Sequence, residues 1–218
     1  MKACIFDLDG VVVDTAKYHY LAWKELADGL GFFFSEKDNE RLKGVSRMAS
    51  LDILLEVGGI TMSDEEKMKL AERKNKRYLE YIMKMTPEEV LPGVCEFLKA
   101  LRKAGILISL GSASKNAKTI LRQTGIENLF DAIADGTNVT KAKPDPEVFL
   151  KGAELLNVKP EDCLVFEDAV AGIEAAHSAG MKCVGVGDAR ILSQADFHIT
   201  GFGNVESVLQ LIGVSKNN

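Results

Sequence analysis

Cysteine is scarce and scattered in this chain of 218 residues. The 4 thiols, Cys4, Cys95, Cys163 and Cys183, contain no CxxC pair, which excludes the usual zinc spacing and gives no disulfide framework. Three of them sit in apolar runs ("ACIF", "CLVF", "CVGVG"), where a reduced thiol behaves as a small hydrophobe. No apolar run approaches the roughly 18 residues of a membrane span. No block of Lys or Arg offers a face to nucleic acid, and no repeat or low-complexity segment appears. The N-terminus passes straight into "KACIF" without the layout of a secretory signal. Acidic residues outnumber basic ones, 32 to 27, for a net charge of -5. What remains is a reduced, cytoplasmic, globular protein, expected to be a monomer with neither a nucleic-acid nor a membrane partner.

What is present is an alternation. The short β-rich runs "ACIF", "ILISLG", "DAIA", "CLVFED", "CVGVG" and "FHITG" are continuous enough to be strands buried on both faces. From residue 90 onward they alternate with helical patterns such as "GVCEFLKALRKAG", "NAKTILRQTG", "PEVFLKGAELLNV" and "AGIEAAHSAG", several of which close on glycine. Strand and helix in turn predict βαβ units and an α/β fold with a doubly wound parallel sheet.

The stretch 14–87 reads differently, with helical periodicity and almost no strand signal. Between Ser63 and Lys84, 12 of 22 residues are charged, while Met68, Ala71, Tyr78, Leu79 and Ile82 form a stripe at helical spacing. That pattern predicts an amphipathic surface helix whose charges form a solvated face. The expected layout is a split α/β core, 1–13 and 88–218, with a helical module inserted at 14–87.

The run "CIFDLDGVVVDT" places Asp7 and Asp9 one residue apart at a strand end, ahead of Gly10, where the backbone can turn sharply. Like charges held so close ask for something positive between them, a cation or an electrophilic phosphorus. In a doubly wound sheet, ligands bind beyond the carboxyl ends of the strands. Three more polar clusters fall at such ends: "GSASKN" at 111–116, Lys143 in "KAKPDP", and Glu167 with Asp168 after "CLVF". Any one of them could be a cap, a turn or a loop, but four on one sheet edge make a coherent site. Carboxylates suit Mg²⁺, and hydroxyls and backbone N–H groups at a helix start, with a lysine, suit phosphate oxygens. Phosphoryl transfer needs these parts and an in-line nucleophile. One aspartate would attack phosphorus and the other would handle the hydroxyl proton.

In order, "FDLDG", "SAS", "AKPDPEVF" and "FEDAVAGIEAA" resemble the four motifs of the haloacid dehalogenase-like phosphotransferases. The resemblance implies Asp7 as the nucleophile that becomes a phosphoaspartate. It implies Asp9 as general acid/base, with its backbone carbonyl on Mg²⁺, and Glu167 and Asp168 as further metal ligands with Asp7. Ser112 and Lys143 would hold the transferring phosphoryl. The insert is similar to the cap of the β-phosphoglucomutase branch of that family, through "DTAKYHYLAWKELA" and "LKGVSRMASL". Such enzymes interconvert β-glucose 1-phosphate and β-glucose 6-phosphate through the 1,6-bisphosphate. By that likeness Lys43, Gly44, Val45 and Arg47 would bind the non-transferring phosphate and sugar from the cap. Ser112, Ala113, Ser114, Lys115 and Asn116 of "SASKN" would contact the sugar phosphate from the core. Ala142 stands where such mutases often have serine.

Thr15, His19 and Trp23 recur every four positions and so share a helical face. Spacing alone leaves open whether His19 and Trp23 pack on the next helix or border the site. The resemblance favours the site, with Thr15 and His19 serving catalysis, His19 by linking cap closure to proton placement on Asp9, and with Trp23 beside substrate. His177 and His198 have no such context and are expected to be structural. A sugar-phosphate phosphatase on the same fold is the rival activity, separated from the mutase by the cap residues. A catalytically silent sugar-phosphate sensor would need no nucleophile.

Overall fold

The short apolar runs are strands that feed two cores at once. The structure, a computed structural model, describes residues 1–42 and 45–214. Strands β1 (Ala3–Phe6), β2 (Leu107–Gly111), β3 (Ala132–Ala134), β4 (Cys163–Glu167), β5 (Lys182–Val186) and β6 (Phe197–Ile199) form a parallel sheet in the order β3-β2-β1-β4-β5-β6. Successive side chains point to opposite faces. Cys4 and Phe6 of β1, Leu164 and Phe166 of β4, and Val184 and Val186 of β5 therefore enter one core. Ala3, Ile5, Cys163, Val165 and Cys183 enter the other.

The first core is closed by α5 (Val94–Lys103), α6 (Ala117–Gln123) and α9 (Val205–Leu211). At its centre the Phe6 and Phe166 rings stack 4.6 Å apart, with Phe97 and Phe202 packed around them. The second core is closed by α7 (Glu147–Leu155) and α8 (Val170–Ser178). Helices on both faces of a parallel sheet, with strand order reversing at β1, make the fold doubly wound.

Between β1 and β2 lie α1 (Ala16–Leu30), α2 (Glu36–Glu40), α3 (Arg47–Val57) and α4 (Asp64–Ile82). They gather around Trp23, Leu26, Phe34, Leu51, Leu54 and Ala71 in a core of their own. Serine starts three of these helices: Ser35 and Ser63 form capping boxes with Asp38 and Glu66, and Ser46 accepts from Ala49 N. The chain leaves the sheet and returns to it side by side. Val13 bridges Val90, Asp14 N donates to Glu89 O, and Leu91 N donates to Val12 O. Ala22, Tyr78 and Ile82 join the first sheet core, so the helical unit rests on the sheet domain through apolar contact.

The amphipathic stripe of α4 holds except at its edges. Met68, expected on the apolar face, is 56% exposed, while Lys74, expected in the solvated charge run, is only 3% exposed. At i+3 from Ala71 and i−4 from Tyr78, Lys74 shares the buried face of the helix.

Gly93 opens α5 at φ 81°, and a Cβ there would lie 1.9 Å from the carbonyl oxygen of Phe202. Gly93→Ala should destabilise the protein by more than the roughly 1–2 kcal/mol of a left-handed residue alone, read as the fall in the urea-unfolding midpoint.

Candidate active site

Register brings the acids together. Phe6 pairs with Leu110 and with Phe166, so the chain runs off β1, β2 and β4 at the same level. The next residues, Asp7 and Glu167, stand side by side, and Asp7 N donates to Phe166 O. Lys143 comes in from the connection after β3 and is buried between them, its Nζ 2.5 Å from Asp7 Oδ1 and 2.8 Å from Glu167 Oε2. Burial by itself would depress the lysine pKa, but the two carboxylates outweigh it and hold the ammonium charged. Glu167 is pushed up by burial against the pull of Lys143, and its Oε1 accepts from Ala169 N.

Asp7, Glu167 and Asp168 each offer an oxygen within 4.8 Å of the others. A clustered set of carboxylate oxygens is the donor chemistry of a hard divalent cation, so these residues fit a metal. Gly10 makes room for the set: at φ 82° it turns the chain where a Cβ would fall 2.2 Å from Asp168 Oδ2.

Asp9 faces the inserted helices instead. Thr15 is the N-cap residue of α1, yet its side chain makes no cap bond and donates to Asp9 Oδ1. His19 Nε2 lies 3.9 Å from the same oxygen. Burial, then the charge of Asp7, push the Asp9 carboxyl up to about 6.

Behind His19 stands Lys74, which the sequence pattern placed in solvent. Its Nζ is 3.0 Å from His19 Nδ1 and lies over the rings of Trp23 and Tyr78 at 4.5 and 4.7 Å. Burial first, and then Arg47, lower Lys74 to about 7, while burial, Lys74 and Arg47 together hold His19 well below its usual 6.5. Charged or neutral, Lys74 has an N–H for Nδ1. A neutral His19 that accepts there carries its own proton on Nε2, toward Asp9.

One cavity of about 550 Å³ joins these groups, lined by Asp7, Asp9, His19, Ser112, Lys143 and Asp168, and across from them by Val45, Arg47, Lys74, Asn75 and Tyr78. Ala113, Ser114, Lys115 and Asn116 line it from the turn after β2. That turn is held by its own hydroxyls: Ser112 Oγ accepts from Ser114 N, and Ser114 Oγ from Asn116 N, both at 3.2 Å. Asn116 Nδ2 donates at 3.0 Å to Asn75 Oδ1 of α4, which ties sheet domain to insert across the cavity. Trp23 lines the cavity while packing in the insert's core, and the His19 ring lies 4.1 Å from Tyr78 of α4. The two readings left open for that helical face are therefore compatible. Lys43 and Gly44 lie outside the described residues. His177 pairs with Asp196 at 3.0 Å and His198 donates to Leu192 O at 2.8 Å, both away from the cavity. Among the cavity residues that sequence reasoning did not assign are Lys74, Asn75 and Tyr78. Their signal was there, in the stripe that runs through Ala71, Tyr78 and Ile82.

Comparison with known proteins shows what the whole chain is similar to. The family model for haloacid dehalogenase-like hydrolases matches residues 1–180. A β-phosphoglucomutase of Bacillus subtilis is 49% identical over 90% of this chain and 88% of its own length. A phosphorylated carbohydrates phosphatase of Thermotoga maritima is 35% identical over 84% and 83%. The crystal structure of a β-phosphoglucomutase from Clostridium difficile superposes with a TM-score of 0.91 at 44% identity, covering 96% of each chain.

The buried Lys74 sets a pH dependence. An unfolded chain binds a proton at lysine up to pH 10.5, whereas the folded chain gives it up near 7. Between those values the unfolded state holds more protons, so stability rises with pH, and below 7 the contribution is flat. The stability of the wild type minus that of Lys74→Met should climb from pH 7 toward 10, by at most about 1.4 kcal/mol per pH unit. Urea midpoints of both proteins across that range check it.

Proposed function

The chain belongs to the haloacid dehalogenase-like hydrolases, and from that premise we propose that it is a β-phosphoglucomutase. It interconverts β-D-glucose 1-phosphate and β-D-glucose 6-phosphate through β-D-glucose 1,6-bisphosphate. The relatives named β-phosphoglucomutase, matched over nearly the whole chain, support this reading. The observation that carries it is the cavity's division. Asp7, Lys143 and Asp168 line one side, with the buried Glu167 bonded to Lys143, and Arg47 and Lys74 line the other beside Glu72, with no carboxylate paired to Arg47 among the described residues. A substrate that is phosphorylated in turn at either end of one sugar needs both sides.

In this reading residues 14–87 are a cap and 1–13 with 88–218 the core. The 6-hydroxyl of β-glucose 1-phosphate attacks phosphorus on phospho-Asp7, Asp9 takes its proton, and the carboxylate of Asp7 leaves. The bisphosphate turns end for end. Asp7 then attacks the C1 phosphorus, the bond from phosphorus to O1 breaks, and Asp9 returns the proton to O1. Lys143 and Ser112 hold the transferring phosphoryl. Val45, Arg47, Ser114, Lys115 and Asn116 hold the sugar and its other phosphate, with Arg47 offering a planar fork of donors. Asp7, Glu167, Asp168 and the Asp9 carbonyl would hold Mg²⁺, which when bound offsets the repulsion between carboxylate and phosphate. Closure of the cap excludes water, so the phosphoaspartate waits for sugar.

A coupled assay for glucose 6-phosphate from β-glucose 1-phosphate, primed with a trace of bisphosphate, tests the reading. Turnover is expected, with loss on EDTA treatment and recovery with added Mg²⁺. Release of inorganic phosphate without isomerisation would make the protein a sugar-phosphate phosphatase instead.

Arg47→Ala separates the two activities. Mutase turnover should fall at least about 100-fold, the loss of a charge-assisted contact of roughly 3 kcal/mol. Hydrolysis of acetyl phosphate, which has no second phosphate, should change little. Equal falls in the two rates would remove Arg47 from the distal phosphate site.

A further inference from the structure

Tyr78 is the largest cavity-lining group for which the catalytic reading has no use. The residue is 1% exposed, and its hydroxyl is buried and makes no hydrogen bond of good geometry among the described residues, with Thr15 as its neighbour. A buried hydroxyl left unsatisfied is costly, and the same ring as phenylalanine would carry no such cost. The ring already has its packing partners: it packs on His19 at 4.1 Å, tilted by 35°, and lies under Nζ of Lys74. Packing therefore accounts for the ring and not for the hydroxyl.

Thr15 is a hydrogen-bonding neighbour of this hydroxyl, and Asp9 and Arg47 act on it by charge. Thr15 spends its one proton on Asp9 Oδ1, which leaves the lone pairs of Oγ1 open to a donor. His19 Nε2 lies 3.9 Å from the same Oδ1. We propose that Tyr78 is a positioning residue for Asp9. During turnover its hydroxyl donates to Thr15 Oγ1, completing a chain from Tyr78 through Thr15 to Asp9. The chain pins Oδ1 from the cap and turns Oδ2 toward the sugar oxygen that gains or loses the proton. Donation into Thr15 polarises its O–H and strengthens the bond to Asp9. This inference rests on the proposed mutase chemistry, in which Asp9 handles that proton.

Tyr78→Phe removes the hydroxyl and keeps the ring, so His19 and Lys74 retain their contacts. Mutase kcat should fall about tenfold, the worth of one hydrogen bond in the transition state, with KM little changed. Formation of the phosphoenzyme from acetyl phosphate should keep its rate, because acetate leaves without a proton from Asp9. The melting temperature should stay level or rise, since an unsatisfied group has gone. In a Thr15→Val background the same substitution should cost nothing further, because the chain to Asp9 is already broken. Unchanged mutase kcat would overturn the inference, as would equal falls in both reactions, a drop in melting temperature or an additive loss in the double variant. A wild-type protein that forms phosphoenzyme but no glucose 6-phosphate would overturn the mutase reading and this inference with it.

Discussion

The ammonium of Lys143, buried between Asp7 and Glu167, is the contact on which the catalytic edge depends. Removing such charges from water costs several kcal/mol for each ion, and the cost is met only when every donor and acceptor finds a partner. That condition reaches back into the sheet. Asp7 and Glu167 have to leave neighbouring strands at one level, which the pairing of Phe6 with Phe166 provides. A slip of one residue between β1 and β4 would send one carboxylate to the wrong side. The stacked Phe6 and Phe166 rings, with Phe97 and Phe202 around them, oppose that slip. The aromatic core and the buried charges are thus parts of one constraint.

Both parts of the chain bring charge of both signs to the cavity. The sheet edge supplies Asp7, Asp9 and Asp168 with Lys115, Lys141 and Lys143, while the insert supplies Arg47 and Lys74 with Glu72. Acids collected at the strand ends are placed to face a cation and a phosphoryl group on the proposed chemistry. Burial first, and then the charge of Arg47, disfavour the charged form of Lys74. An anion placed between the two cations relieves that repulsion. On the proposed chemistry a bisphosphate would meet cationic groups at both ends, and its reorientation would exchange one phosphate for the other between Lys143 and Arg47.

The parallel sheet and the four polar clusters at its strand ends were legible in the sequence, because a parallel strand buried on both faces leaves a short continuous apolar run. The gathering of Asp7, Lys143, Glu167 and Asp168 was legible for a related reason: several charges at the ends of such runs serve neither packing nor solvation. The insert was harder to read. Its helices were plain from periodicity, yet Lys74 sits in a run where 12 of 22 residues are charged, and composition hides one buried lysine among solvated ones. Only its helical phase with Ala71 and Tyr78 marks it. Thr15 was placed by its spacing with His19, but that it forgoes its cap bond to serve Asp9 depends on where α1 docks, which no local pattern specifies.

That docking also explains why access and proton handling are hard to separate here. The chain crosses from sheet to insert at Val13 and returns beside it at Val90, so the two crossings form one paired connection. Thr15 follows directly after it and His19 one turn later, and both address Oδ1 of Asp9 from α1. Any displacement of α1 that opens the cavity to water withdraws both contacts from Asp9 together. An acid/base group held in place only by the closed insert works when water is excluded and loses its orientation when water enters. On the proposed chemistry this favours a sugar hydroxyl over water as acceptor of the phosphoryl group, with selectivity residing in α1 rather than in the nucleophile.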